Sequence, residues 1–257
     1  MKTYEAVILA GGRAPWLIPL AGTDIRSLAK IEDKYLIEYI MDALRDSKCV
    51  NNIYVASDKE ALQKLKASGL SGYIPVVCEN MTLAEVGLTA ATAVEEHNPE
   101  NHKILFVCDD IPLLTAKAIC SFLSACEAEP EGEMYYSIVR KEVCQAQYPE
   151  GKRTYGPLAD GEFTGGNVTL LTRAAIARTQ DMARRLYANR KHPVKLCSLL
   201  GWWFVLKALL KFISSKDVEK RCSELMGVIC KAVITEYACI GMDIDKEADW
   251  KLAHKYL

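Results

Sequence analysis

Three short stretches hold residues whose types and spacing suit phosphate and metal chemistry. In "EAVILAGGRAPWLIPL" (5–20), Gly11 and Gly12 follow an apolar run. Glycines there let the backbone come close to a phosphate, whose oxygens the free amides can bind. The same dipeptide is also an ordinary tight turn. In "FVCDDIPLLT" (106–115), an apolar run ends in Asp109 and Asp110, with Pro112 soon after. Carboxylates at the C-terminal end of a parallel strand point into the crevice where ligands bind, and their hard oxygens suit Mg²⁺. The local alternative is that Asp109 or Thr115 caps a helix starting near 115. In "GMDIDKEADW" (241–250), Asp243 and Asp245 follow the last apolar run. Asp243 is free to be a second metal ligand, whereas Asp249 falls in the first turn of a closing helix and complements its dipole. A fourth stretch, "GEFTGGNVTLL" (161–171), sets Gly165 and Gly166 before Asn167 and a strand. It reads equally as an edge that touches substrate and as a hairpin turn.

These residues need a frame to bring them together. Apolar β-type runs occur at 5–10, 52–57, 73–77 and 103–108, and helical spacing lies between them, as in "KYLIEYIMDALRDS" (34–47). Residues 58–68 and 82–97 also read as helices. Strands alternating with helices predict a mostly parallel sheet built from right-handed crossovers, a three-layer α/β/α fold of Rossmann-like type. In such a sheet the first and fourth strands are neighbours at the switch in winding direction. Gly11–Gly12 and Asp109–Asp110 then face one crevice. The second half reads as strands at 134–140, 167–171 and 232–237, with a loop-rich stretch over 148–166. Helices are expected near 173–190, 194–213, 216–227 and 246–257. The plan is a single domain over 1–257 with a helical insertion at about 173–230.

Composition narrows the field. The chain has 257 residues, half of them hydrophobic, and a formal net charge of −1. That allows a sizeable core and argues against a nucleic-acid binder. Ten cysteines are scattered without a CxxC pair, and the four histidines stand far apart. Neither a zinc site nor a disulfide framework is expected, and reduced thiols in a cytoplasm fit best. The N-terminal apolar run is too short for a signal peptide.

The order "ILAGG", "KYLIEYIMDAL", "DDIPLLT", "FTGGNVTLL", "MDIDKEADW" resembles the nucleotidyltransferases of the MobA-like, sugar-phosphate type. "RSLAKIEDKYLIEYIMDAL" likewise resembles the family's "KALxPIxGKPLIEYVxxAL". The resemblance implies that a nucleoside triphosphate is joined to a phosphorylated acceptor, small molecule or lipid, with release of pyrophosphate. It implies that Leu9, Ala10, Gly11 and Gly12 contact the nucleotide, with Glu79 and Thr82 bordering the base. It implies Mg²⁺ held by Asp110 and Asp243, and an acceptor or ribose touching Gly165, Gly166 and Asn167. Three positions depart from the pattern. Trp16 stands where the family usually has arginine, Arg26 where it has the catalytic lysine, and Lys30 where it often has proline. Arg26 still offers paired hydrogen bonds to phosphate, with Arg13 or Lys30 as further cations. Arg153, in "GKRTYGPL", is a further phosphate candidate or a solvated surface arginine. The competing class is a nucleotide-binding or regulatory relative without turnover. A dinucleotide oxidoreductase is disfavoured, because "GGRAPW" lacks the G-x-G-x-x-G spacing.

The insertion carries a charge asymmetry: eight cations and no acid lie between Asp181 and Asp217. Inside it, "VKLCSLLGWWFVLKALLKFI" (194–213) is strongly apolar, but Leu196 to Leu206 gives only eleven uncharged residues. A spanning helix needs about 20 apolar residues. The helix is expected to pack on the core or in a homodimer contact. The alternative is that 184–213 touches a membrane surface through its lysines and Trp202–Trp203.

Overall fold

The computed structural model describes residues 2–189, 192, 195, 198–199 and 201–257. Its frame is an eight-stranded sheet formed by β1 (Tyr4–Leu9), β4 (Val50–Ser57), β5 (Ile74–Val77), β6 (Lys103–Cys108), β7 (Met134–Arg140), β8 (Gly156–Leu158), β9 (Gly161–Thr172) and β10 (Cys230–Thr235). β2 (Lys30–Ile31) and β3 (Lys34–Tyr35) make a separate small hairpin. The order across the main sheet is β10-β7-β9-β6-β1-β4-β5, with β8 on β9. β1 runs parallel to both β4 and β6, as expected of the switch point. β9 is antiparallel to β6 and to β7.

Alternation along the strands builds two cores. Ala6 and Ile8 face one side, against α2 (Leu36–Ser47), α3 (Lys59–Ala67) and α5 (Ala116–Glu127). Val7 faces the other, with Tyr54, Phe106 and Ile104, against α4 (Leu83–His97) and α7 (Arg173–Asn189). Three layers result, and α7 forms part of one of them. Thr115 accepts a hydrogen bond from the Ala118 amide at 3.2 Å and so caps α5, which leaves Asp109 free for another role.

Two segments differ from the sequence reading. The stretch 148–166, read as loop, holds β8 and the first half of the 12-residue β9, and α6 (Lys141–Gln147) precedes it. Its glycines and polar residues carry little strand propensity; pairing with β7 and β8 extends the strand. Of the helix expected at 194–213, residues 195, 198–199 and α8 (Trp202–Leu209) are helical, with Gly201 at φ 95° just before α8; residues 194, 196–197 and 200 lie outside the described residues. α9 (Ser215–Met226) and α10 (Glu247–Tyr256) complete the chain. No described helix is long and apolar enough to cross a membrane.

Candidate active site

The loop after β1 is held as a continuation of the strand. The Ala10 amide donates to the Ala56 carbonyl at 2.8 Å, and Ser57 Oγ donates to the Ala10 carbonyl at 2.7 Å. The two glycines then serve different ends. A Cβ on Gly11 would meet nothing within 4 Å, so its backbone is open to an incoming group. A Cβ on Gly12 would stand 2.5 Å from Arg26 Nη2, so only glycine lets that guanidinium lie against the loop. The chain folds back to deliver Arg26: Arg13 and Ile25 form an antiparallel bridge, and the Arg26 amide donates to the Gly12 carbonyl at 3.1 Å.

Arg26 is the hub of the site. Its Nε and Nη2 donate to Asp109 Oδ1 at 3.1 and 2.9 Å, and its Nη1 lies 2.8 Å from Asp110 Oδ2. Asp109 is fully buried and anchors the guanidinium. The segment after β10 docks on the same point, because the Ile244 amide donates to the Asp110 carbonyl at 2.9 Å. Met242 and Ile244 are buried, which turns Asp243 and Asp245 the other way, toward Asp110. One carboxylate oxygen from each of Asp110, Asp243 and Asp245 lies within 4.8 Å of the others. Burial pushes Asp110 up to about 7 against the pull of Arg26, with Asp109 and Asp245 adding repulsion. Burial likewise pushes Asp243 up to about 7 against Arg153, with Asp110 and Asp245 adding to it. Asp110 Oδ1 is buried without a hydrogen-bond partner. Three converging carboxylates with an orphaned oxygen fit a hard divalent cation.

Asp245 was not assigned a role from the sequence. Its signal was present, since residues two apart in an extended segment share a side. Asp109 was read only as a cap or a site acid, not as the buried partner of Arg26.

The remaining expected residues fall into two groups. A cavity of about 610 Å³ opens beside the loop, lined among others by Leu9, Gly11, Gly12, Arg13, Arg26 and Glu79. Within it Arg13 is bound to Asp58 at 2.7 Å and to Glu60 at 2.9 Å. Glu79 accepts from the Lys59 amide at 2.7 Å. Thr82 caps α4 through a reciprocal pair with Glu85, and its neighbours Met81 and Leu83 line the cavity instead. Lys30 lies over the Tyr35 ring, 4.5 Å from its centroid, and is not among the lining residues. Trp16 packs on the apolar cluster of Leu17, Ile31 and Trp250.

The second group supports the acidic segment. Arg153 is no solvated surface residue: its side chain is 8% exposed. It donates to the Gly241 carbonyl at 2.9 Å and to Asp249 Oδ1 at 2.9 Å. Asn167 Nδ2 donates to the Ile240 carbonyl at 3.3 Å. A Cβ on Gly166 would stand 2.2 Å from Ser137 Oγ and 2.7 Å from Ile240 Cγ2. These residues hold the 238–243 turn in place.

An open α/β sheet with a glycine loop and an acidic cluster at the carboxyl ends of its parallel strands defines a nucleotidyltransferase fold. The chain belongs to the MobA-like NTP transferase family, whose domain model matches residues 6–200. A hypothetical transferase from Thermus thermophilus is 31% identical with a TM-score of 0.81, over 97% of this chain and 99% of that one. A CMP:2-keto-3-deoxy-manno-octonic acid synthetase, solved with CTP, shares the fold at 11% identity and a TM-score of 0.60, covering 99% and 98% of the two chains. A Mycobacterium tuberculosis protein solved with manganese shares it at 14% identity and a TM-score of 0.56, with both chains fully covered. No curated protein sequence matches the chain.

Proposed function

We propose that the protein is a Mg²⁺-dependent nucleotidyltransferase that joins a nucleoside triphosphate to a phosphorylated acceptor and releases pyrophosphate. The observation that carries this reading is the convergence of Asp110, Asp243 and Asp245 within 4.8 Å, joined to the glycine loop by Arg26, which reaches Asp110 and packs on Gly12. The three carboxylates would hold the ion, which when bound neutralises phosphate charge and stabilises the charge that develops at the α-phosphorus. Leu9, Gly11 and Gly12 form the nucleotide side, Ala10 is buried and anchors the loop to β4 instead of lining the cavity, and Gly11 brings the backbone to the phosphates. Arg26 spends three of its N–H groups on Asp109 and Asp110, leaving about two of five for phosphate oxygens. Asp109 fixes its orientation, so the donors are aligned before substrate arrives. Asn167, Gly165, Gly166 and Arg153 belong to the acceptor side, where they hold the turn that carries Asp243.

In the reaction an acceptor phosphate oxygen attacks the α-phosphorus. The new O–P bond forms as the bond to the β-phosphate bridging oxygen breaks, and pyrophosphate leaves with that electron pair. The acceptor phosphate is already ionised, so no general base is required. Alignment and charge neutralisation are the protein's work. Cys78, Cys108, Cys126, Cys144, Cys222, Cys230 and Cys239 are free thiols, which suits the cytoplasm. The basic flank of 184–213 supports a peripheral membrane contact.

A second reading is a nucleotide-binding relative without turnover. It is favoured by the engagement of Arg13 with Asp58 and Glu60 and by the packing of Trp16 away from the loop. Pyrophosphate release separates the two. Each nucleoside triphosphate is incubated with Mg²⁺ and a pool of phosphorylated sugars, polyols and lipids. The transferase reading expects release with a preferred triphosphate. Saturable nucleotide binding with no release from any acceptor would establish the binding reading instead.

A further inference from the structure

Two more hollows continue from the nucleotide cavity over the same face of the sheet. The nearer, of about 190 Å³, lies between α4, α7 and the strands and shares Leu9 and Leu83 with that cavity. The farther, of about 350 Å³, shares Met134 and Met226 with the nearer one and ends under α9. Its walls are apolar side chains, among them Ile138, Leu158, Phe163 and Val218. The polar residues on its rim are already engaged. Ser215 donates to Asp160, Glu219 accepts from the Ala232 amide, and Lys231 pairs with Glu129 and Glu131. A sugar hydroxyl placed there would give up water without a replacement partner, at a cost of about 1–3 kcal/mol. A hydrocarbon chain would gain by the same move.

Tyr136 and Gly165 stand in the wall nearest the acidic cluster, and the Tyr136 hydroxyl lies 2.7 Å from where a Gly165 side chain would begin. The Gly165 carbonyl in turn abuts Gly241, two residues before Asp243. The hollow is thus apolar throughout, and at Gly165 it comes up against the segment that carries Asp243.

We infer that the acceptor is an amphiphile, a phosphate monoester bearing a hydrocarbon chain, with its chain in the 350 Å³ hollow and its phosphate beyond Gly165, on the side of Asp243. This rests on the nucleotidyltransferase reading and names its acceptor class. The outer surface agrees with such a substrate. Leu158 of the hollow belongs to the β8–β9 hairpin, whose Ala159 amide donates to the Ile213 carbonyl at 2.8 Å. On the segment just before Ile213, Trp202, Trp203 and Phe212 are 59%, 68% and 73% exposed. An amphiphile reaches this edge either free in solution or from a bilayer.

The test compares decyl phosphate in solution and phosphatidic acid in phosphatidylcholine vesicles with glycerol 3-phosphate as polar control. Pyrophosphate release is read with the preferred triphosphate. Either amphiphile is expected to exceed glycerol 3-phosphate at least tenfold in kcat/KM, and each methylene removed from decyl phosphate to cost about fourfold. Val218→Trp and Ala232→Leu fill the hollow from two elements and should each collapse the preference for decyl phosphate over glycerol 3-phosphate by about tenfold. Preference for glycerol 3-phosphate, or an amphiphile preference untouched by both fillers, would overturn the inference. Calorimetry of decyl phosphate binding without nucleotide separates the two levels. Binding that both fillers abolish, with no pyrophosphate from any acceptor, faults the transferase reading but not the hollow; pyrophosphate from polar acceptors alone faults the hollow but not the transferase reading.

Discussion

The two halves of the sheet handle glycine and charge in opposite ways. In β6-β1-β4-β5, the loops after parallel strands carry the glycine turn and the acids: Gly11, Asp58, Glu79, Asp109 and Asp110 all follow strand ends. In β9-β7-β10, the strands themselves shape the site, through close backbone contacts and an apolar wall. The first half presents polar groups at one edge, as open parallel sheets do. The second presents close-packed backbone and an apolar wall. Substitutions at the strand ends, Asp243 and Asp245 after β10 included, should therefore act through charge, and those within the strands of the second half through packing.

Arg26→Ala gives the largest effect on stability. It strands the fully buried Asp109 and leaves Asp110 without its cation. Breaking a buried pair from one side costs about 3–5 kcal/mol, and urea unfolding should show a loss of that size. Arg13→Ala removes a half-exposed cation from carboxylates that water can still solvate, and should cost about 1 kcal/mol or less. Equal losses would mean that the two arginines differ less than their burial suggests.

Asp110→Asn tests the same edge through turnover. The amide keeps the shape, drops a charge whose burial is unfavourable and removes an ion ligand. Pyrophosphate release should fall by about a hundredfold to a thousandfold while the far-UV spectrum and urea midpoint hold. Release at the wild-type rate would remove Asp110 from the chemistry.

For the second half, Gly166→Ala drives a methyl into Ser137 and Ile240, at 2.2 and 2.7 Å. Overpacking of this kind costs about 1–3 kcal/mol. Gly11→Ala meets open space and should stay within about 0.5 kcal/mol of wild type, its effect appearing as weaker nucleotide binding. If Gly11→Ala lowers the unfolding midpoint as much as Gly166→Ala does, the division between chemistry and packing fails.

How much of this the sequence disclosed follows the same division. The parallel half was legible because alternating apolar strands and amphipathic helices fix both the elements and their order, and the β1–β6 pairing then juxtaposes Gly11 with Asp110. In the β9-β7-β10 half the strands at 134–140, 167–171 and 232–237 were legible too, but the first half of β9 was not. β9 is extended by cross-strand partners distant in sequence, so "GEFTGGNV" reads locally as a turn. Arg153 reads as a surface residue because its partners Gly241, Asp243 and Asp249 are about ninety residues on. Asp109's tie to Arg26 is likewise a long-range pairing, 83 residues apart. A strand-end reading places Asp109, Asp110 and Asp243 at carboxyl ends, and the family resemblance singles out Asp110 and Asp243. Neither reveals which cation each acid meets.

The acidic cluster should couple divalent ions to pH, and this is the smallest effect expected. Carboxylates in an unfolded chain titrate near about 4, whereas Asp110 and Asp243 are pushed up to about 7 in the folded protein. Between those values the folded protein holds protons that the unfolded chain has lost. Stability therefore falls as pH rises through this window. Above it Asp110, Asp243 and Asp245 are ionised together, and a divalent cation relieves their repulsion. Binding at pH 5.5 must first expel the protons, so Mg²⁺ or Mn²⁺ should raise Tm little there and more at pH 8. Each kcal/mol of ion binding moves Tm by about 2–4 °C in a chain of this size. A rise that is equal at both pH values, or that persists in Asp110→Asn, would place the ion elsewhere. A rise that grows with pH and disappears in that variant would tie the charge-bearing edge of the sheet to metal binding without reference to turnover.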